Sequence, residues 1–256
     1  MAEQKTSRKD AANIAKQRQY ICENLSFAGR EAYKRLRTNI QFCFTDEADK
    51  HTVGVTSAQP SDGKSTTAVN LAYSSAQLNK RVLLIDADMR KPSLDTKLGL
   101  EQAPGLSNLL TELNNVAGTV KQYVPQDGTV GFDVITAGDV PPNPSELLHS
   151  ERMKRLMEKL ATIYDLIVVD LPPVGAVADA QTVSGLVDGM LVVVREGHCS
   201  KFVMDDCISQ LKLTGTKILG FVVNGAVEGS SKSYSYGKYG KYGKYGSYGS
   251  YGGYYK

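Results

Sequence analysis

Apolar residues along this chain follow two rhythms. Six short runs, HTVGVTS, RVLLIDAD, FDVITAG, YDLIVVDLPP, DGMLVVVR and KILGFVVNG, are rich in Val, Ile and Leu and hardly alternate with polar residues. Strands that read this way are buried on both faces, which points to a parallel sheet. Between the runs lie helix-length stretches at 65–78, 145–161, 176–186 and 201–213, with Ser145 placed as the N-cap of the second. Strand and helix alternate, so the pattern predicts an α/β fold with a doubly wound, mostly parallel sheet. Ahead of the first strand, residues 30–44 (REAYKRLRTNIQFCF) carry Tyr33, Leu36, Ile40 and Cys43 or Phe44 at helical spacing, with Glu31, Lys34 and Arg37 on another stripe. An amphipathic helix is expected there.

The rhythm stops after Asn224. Gly, Ser, Lys and Tyr take over, no aliphatic residue follows Val227, and the last 24 residues hold nine of the 14 tyrosines. Such a segment has too little aliphatic surface to offset the entropy of ordering it. The expected organisation is a flexible segment at 1–29, one domain at 30–228 and a disordered, tyrosine-rich tail at 229–256.

Composition narrows the choices. With 256 residues and 41% apolar content the chain can bury one large core. A net charge of +3 is too small to imply nucleic acid, and no such partner is expected. Lys5, Arg8, Lys9, Lys16 and Arg18 make the first segment basic; a frayed, solvated terminus is favoured over contact with an anionic membrane. The chain begins with polar residues and has no run approaching a membrane span, so a cytoplasmic protein is expected. Cys22, Cys43, Cys199 and Cys207 are scattered without CxxC pairing, and His51, His149 and His198 show no ligand spacing. Neither a zinc site nor a disulfide framework follows, and the histidines read as surface or turn residues.

The chemistry concentrates where strands end. HTVGVTS runs into AQPSDGKST, in which Gly63, Lys64, Ser65 and Thr66 open the next helix. A strand, a tight loop and Gly-Lys-Ser at a helix N-terminus make a phosphate cradle: backbone N–H groups and the helix dipole face the anion, Lys64 reaches the β/γ-phosphates, and the Ser65 hydroxyl holds Mg²⁺. The pattern is a relaxed one, because Ala58 stands where its first glycine would be. ATP is the expected ligand of Ser61, Asp62, Gly63, Lys64, Ser65 and Thr66. LLIDADMR places Asp86 and Asp88 just past one apolar run, and IVVDLPP places Asp170 past another. In a parallel sheet these ends share one edge, so three carboxylates converge beside the loop and form a candidate Mg²⁺ site. Asn224 ends the last run on the same edge, where its amide can read adenine or simply form a turn before glycine. Arg90, Lys91 and Asp179 lie near this edge with roles left open.

Taken together, AQPSDGKST, LLIDADMR, IVVDLPP, the PPNPSELL stretch at 141–148 and the terminal tyrosines resemble the bacterial tyrosine kinases of capsular and exopolysaccharide type, the BY-kinase family, over residues 30–256. The resemblance implies a P-loop NTPase-like fold of the MinD/ParA kind. It also implies an ATP- and Mg²⁺-dependent protein-tyrosine autokinase regulating polysaccharide synthesis and export. Lys64, Asp86 and Asp88 would be catalytic and Ser65, Asp86 and Asp170 would hold metal, the division among the three aspartates staying open. The implied acceptors are Tyr234, Tyr236, Tyr239, Tyr242, Tyr245, Tyr248, Tyr251, Tyr254 and Tyr255. Glu31, Lys34 and Arg37 resemble the family's E-x-x-R-x-x-R oligomerisation motif, with a lysine that keeps the charge but not the bidentate fork. The implied partners are further copies in a ring such as an octamer, a transmembrane polysaccharide co-polymerase that modulates the kinase and recruits it to the inner membrane face, and a cognate tyrosine phosphatase.

Two other readings stand beside this one. A MinD/ParA-type positioning ATPase usually carries a signature lysine early in the loop, and SAQPSDGKST has none before Lys64. The tail can also serve as an RNA- or protein-interaction module, since Tyr, Gly and Lys suit base stacking. A flexible chain of about 29 residues spans roughly 30 Å root-mean-square, enough to reach its own site or a neighbour's.

Overall fold

Among the described residues seven strands form one sheet: β1 (His51–Ser57), β2 (Val82–Asp86), β3 (Lys121–Tyr123), β4 (Phe132–Ile135), β5 (Leu166–Asp170), β6 (Gly189–Arg195) and β7 (Ile218–Asn224), in the order β3-β4-β2-β5-β1-β6-β7. The computed structural model describes residues 18, 20–44, 50–111, 115–175 and 179–225. The proposed tail at 229–256, with all its tyrosines, and most of the segment at 1–29 lie outside the described residues. Every neighbouring pair is parallel except the antiparallel β3–β4 edge. The chain crosses from β1 to β2 toward one edge and from β5 to β6 toward the other. The reversal leaves a crevice beyond the C-terminal ends of β1 and β5, the usual ligand position in such sheets.

Helices cover both faces: α1 (Phe27–Cys43), α2 (Lys64–Ala76), α3 (Leu94–Leu98), α4 (Leu106–Thr111), α5 (Pro144–His149), α6 (Glu151–Ile163), α7 (Asp179–Val183) and α8 (Lys201–Leu213). The period-2 rule divides the core. From β2, Leu83 and Ile85 join Leu148, Met153 and Leu160 on one face, whereas Val82 and Leu84 join Ala68, Leu71 and Ala72 of α2 on the other. Both faces are thus dry, which explains the unalternated sequence.

The N-terminal segment is partly packed onto this frame. The Cys22 N–H donates to Asn70 Oδ1 of α2 at 2.8 Å, and Asn70 Nδ2 donates to the Tyr20 carbonyl at 2.9 Å. Tyr123 Oη donates to Glu23 at 3.0 Å. α1 starts earlier than its apolar spacing suggests because Ser26 accepts the Gly29 N–H as N-cap.

Three expectations need correction. The helix expected at 145–161 is two, because the chain breaks at Ser150, whose hydroxyl accepts the Met153 N–H and caps α6. Ser145 does not cap, and its hydroxyl turns instead to Asp179 and Arg90. Of the helix expected at 176–186, α7 begins at Asp179 and passes into a 3₁₀ turn at Ser184–Leu186, while 176–178 lie outside the described residues. β7, read as buried on both faces, is a sheet edge with Phe221 49% and Val223 62% exposed. Among the described residues no helix is long and apolar enough to cross a membrane.

These two kinds of strand position predict different costs. Leu84→Ala, at a fully buried site, is expected to lower stability by about 2–5 kcal/mol, and Phe221→Ala by no more than about 0.5 kcal/mol. Urea midpoints at constant m-value measure both; equal losses would contradict the core assignment.

Candidate nucleotide and metal site

The loop after β1 is held in a shape that ordinary residues resist. Gly63, the N-cap of α2, has φ +99°, and a Cβ there would lie 2.0 Å from Asn224 Nδ2. Ser61 also takes a positive φ of 68°. With glycine as cap, no side chain claims the N–H groups of the first turn of α2, so they remain available to an anion. The first intrahelical bond runs from the Thr67 N–H to the Gly63 carbonyl at 2.9 Å.

Parallel register brings the acids together. Asp86 and Asp170 are direct partners at the ends of β2 and β5, and both are fully buried. Backbone donors fix Asp86: the Asp88 N–H reaches Oδ1 at 3.1 Å, and the Ser93 and Leu94 N–H groups reach Oδ2 at 3.2 and 3.1 Å. Asp88 Oδ1 accepts the Lys91 N–H at 3.1 Å. Lys64 Nζ sits among these groups, 2.8 Å from Asp88 Oδ2, 3.4 Å from Asp170 Oδ1 and 3.2 Å from Ser65 Oγ.

The charges answer to this crowding. Burial and then the neighbouring Asp170 push the Asp86 carboxyl up to about 7, against the pull of Lys64. Asp170 is raised by burial as well, although Lys64 and the Ser65 hydroxyl favour its charge. Burial disfavours the Lys64 ammonium, but Asp170 and Asp88 outweigh it and raise its affinity for the proton. Lys97 on α3 shares the field: burial lowers it, and Asp170 is the strongest opposing charge.

Asp170 Oδ2 is buried and has no hydrogen-bond partner. That orphaned oxygen, with Asp86 and the Ser65 hydroxyl, is an all-oxygen donor set suited to Mg²⁺. Among the described residues no group of three or more His, Cys, Asp or Glu side chains can hold a metal alone. This also fits Mg²⁺, which takes one or two carboxylates and completes its octahedron with water and phosphate.

Asp86, Asp88 and Asp170 are thus gathered around Lys64 and Ser65 at the C-terminal edge of the sheet, and Asn224 meets the loop 61–66 at Asp62. Asn224 Nδ2 donates to the Asp62 carbonyl at 3.1 Å, so its amide is joined to the phosphate loop. Sequence reasoning left Arg90 and Asp179 open; they form a two-pronged ion pair, Nε to Oδ2 at 2.8 Å and Nη2 to Oδ1 at 3.2 Å, with Arg90 Nη2 also 2.9 Å from Ser145 Oγ. This clamp ties the segment after β2 to α5 and α7. Sequence reasoning missed His198 at the loop and Lys97 beside the acids, since neither lies in a recognisable spacing. Glu31 and Lys34 pair at 2.7 Å on the exposed side of α1. Arg37 Nη1 instead donates to the Ser74 carbonyl at the end of α2.

Loop, lysine and strand-end carboxylates place the protein in the phosphate-loop NTPase class. Residues 52–214 match a family described as an AAA domain. A tyrosine-protein kinase of Bacillus subtilis, YwqD, is 41% identical over 206 residues, covering 80% of this chain and 85% of the relative. The Escherichia coli tyrosine-protein kinase etk is 36% identical over 84% of this chain, which spans only 29% of that longer relative. The solved kinase domain of Escherichia coli ETK superimposes with a TM-score of 0.75 at 35% identity, covering 84% of this chain and 82% of that one. The chain belongs to the bacterial tyrosine-protein kinase family.

A proton on Asp86 competes with a cation. With the carboxyl raised to about 7, Mg²⁺ affinity in the presence of ADP is expected to fall as pH drops through that value, approaching ten-fold per unit, and to level off above it. Titrations from pH 6 to 8, referenced to Mg²⁺ binding by ADP alone in the same buffers, give the profile. A flat profile would contradict the assignment of Asp86.

Proposed function

We propose that this chain is an ATP-dependent protein-tyrosine autokinase that phosphorylates the tyrosines between Tyr234 and Tyr255, between subunits, and thereby regulates capsular or exopolysaccharide synthesis and export. The observation that carries this reading is the Lys64 ammonium standing 2.8 Å from Asp88 beside the buried Asp86–Asp170 pair. Lys64 has three N–H donors, directed at Asp88, Asp170 and Ser65, and nucleotide phosphates compete with these partners for them, Asp88 among them. Asp88 is then free to accept the phenol proton. A tyrosine hydroxyl titrates near 10 and is neutral at pH 7, so transfer to it calls for such a base. Asp86, Asp170 and Ser65 would hold Mg²⁺, which when bound neutralises charge on the phosphates. Lys64 and the loop N–H groups orient the phosphates, and the dry strand ends exclude water from the base.

The acceptor reading rests on chain order. β7 ends at Asn224, whose amide touches the phosphate loop, and the tyrosine-rich sequence begins ten positions later, at Tyr234. Glycine beside most tyrosines lets an extended backbone enter a groove, and Lys232, Lys238, Lys241, Lys244 and Lys256 suit an acidic site. We assign residues 30–228 to the kinase domain. Family resemblance supports a ring of copies, a membrane-spanning modulator that recruits the protein to the inner membrane face, and a phosphatase that resets it. With Arg37 engaged on α2, the Glu31–Lys34 pair is the part of the proposed assembly motif facing outward.

The test is phosphopeptide mass spectrometry on protein expressed in cells, wild type against Lys64→Met. Phosphate on the terminal tyrosines of wild type alone is the expected result. ATP hydrolysis without tail phosphate, even with a modulator segment supplied, would favour a positioning-type ATPase instead.

A further inference from the structure

Asp62 sits at the tip of the phosphate loop between two residues at positive φ, Ser61 and Gly63. Its carboxylate is fully buried. Oδ2 accepts the Gln59 N–H at 3.2 Å, and Oδ1 lies 2.7 Å from His198 Nδ1. Its carbonyl accepts Asn224 Nδ2 at 3.1 Å. The loop is thus held from outside by two segments distant in sequence: the β6–α8 connection, which carries His198, and the end of β7. The connection is itself a tight turn, with Gly197 at φ +74° and the His198 N–H on the Arg195 carbonyl at 3.1 Å. The imidazole is therefore presented to the loop by a defined backbone.

A buried carboxylate needs donors, and a loop with two positive-φ residues needs external contacts to keep its shape. His198 meets both needs at one atom. Its side chain is 43% exposed, so it adds little to the core. Removing it leaves the Asp62 carboxylate with the Gln59 N–H as its donor. A carboxylate only accepts, so the shared hydrogen belongs to Nδ1 and Nε2 faces away from this contact.

We propose that His198 is a positioning residue for the phosphate-binding loop: donating from Nδ1 to Asp62, it holds the loop in the shape that receives nucleotide phosphates. This rests on reading the crevice as the ATP site. His198 does not touch the reacting groups around Asp86, Asp88 and Asp170; it acts through Asp62.

Geometry supplies a selective test, because asparagine places its side-chain nitrogen where histidine has Nδ1, whereas glutamine places one nearer Nε2. Affinity for a fluorescent ADP analogue with Mg²⁺ is measured on the full chain for wild type, His198→Ala, His198→Asn and His198→Gln, with the unfolding midpoint of each. His198→Ala is expected to bind roughly ten-fold more weakly and to unfold at a somewhat lower midpoint, because the buried Asp62 carboxylate loses a donor. His198→Asn should recover most of the loss and His198→Gln little of it. In autophosphorylation the change should fall on the KM for ATP, with kcat within about two-fold at saturation. In an Asp62→Ala background, which removes the acceptor, His198→Ala should have little further effect, and the comparison of His198→Asn with His198→Gln covers the case in which His198→Ala folds poorly. Wild-type affinity in His198→Ala, equal recovery by Asn and Gln, or an undiminished effect of His198→Ala in the Asp62→Ala background would overturn the proposal. Failure of the wild type itself to bind nucleotide would overturn the ATP reading and this proposal with it.

Discussion

One ammonium group among three buried carboxylates governs this molecule. Adjacent parallel strands lie about 4.8 Å apart, and the register sets Asp86 directly beside Asp170. Two like charges in a dry crevice repel, and water cannot relieve them. Lys64 and the backbone donors around Asp86 and Asp88 supply what solvent would have supplied. The same arrangement that makes the charges tolerable makes them exchangeable. A metal ion and a triphosphate would together bring the positive charge that the acids need and the negative charge that the lysine needs.

The rest of the fold maintains that geometry. Both faces of β2 and β5 are sealed by apolar side chains, so the strand ends cannot splay to separate the acids. α2, which carries Lys64 at its first position, is buried over nearly its whole length. It is also held from the N-terminal side, by the Asn70 bonds to Tyr20 and Cys22 and by Arg37 on the Ser74 carbonyl. A residue expected to face neighbouring copies thus supports the helix that presents the lysine. Any partner that shifts α1 acts on the C-terminal end of that helix.

What the sequence revealed and concealed follows from the range of the interactions. The central strands were legible because burial on both faces leaves uninterrupted runs of Val, Ile and Leu, and the acids because they stand just past those runs. Gly63-Lys64-Ser65 was legible because a helix N-terminus has few ways to grip phosphate. The exposure of Phe221 and Val223 was concealed, since an edge strand in an α/β sheet keeps the same apolar composition as its neighbours. The break at Ser150 was hidden by apolar periodicity that continues across it. Contacts such as His198 with Asp62, 136 residues apart, or Arg90 with Asp179, 89 apart, leave no local pattern at all. The tyrosines of the tail were legible as composition, and they lie outside the described residues.

Lys64, the strand-end acids and a nucleotide are expected to make one site for one cation. Electron paramagnetic resonance of Mn²⁺, titrated with and without ADP into wild type and Asp170→Asn, addresses it directly. The expected result is a single Mn²⁺ per chain that binds tightly only with ADP and is weakened at least about ten-fold by the substitution. Mn²⁺ held equally well without nucleotide, or equally well by both proteins, would contradict the account.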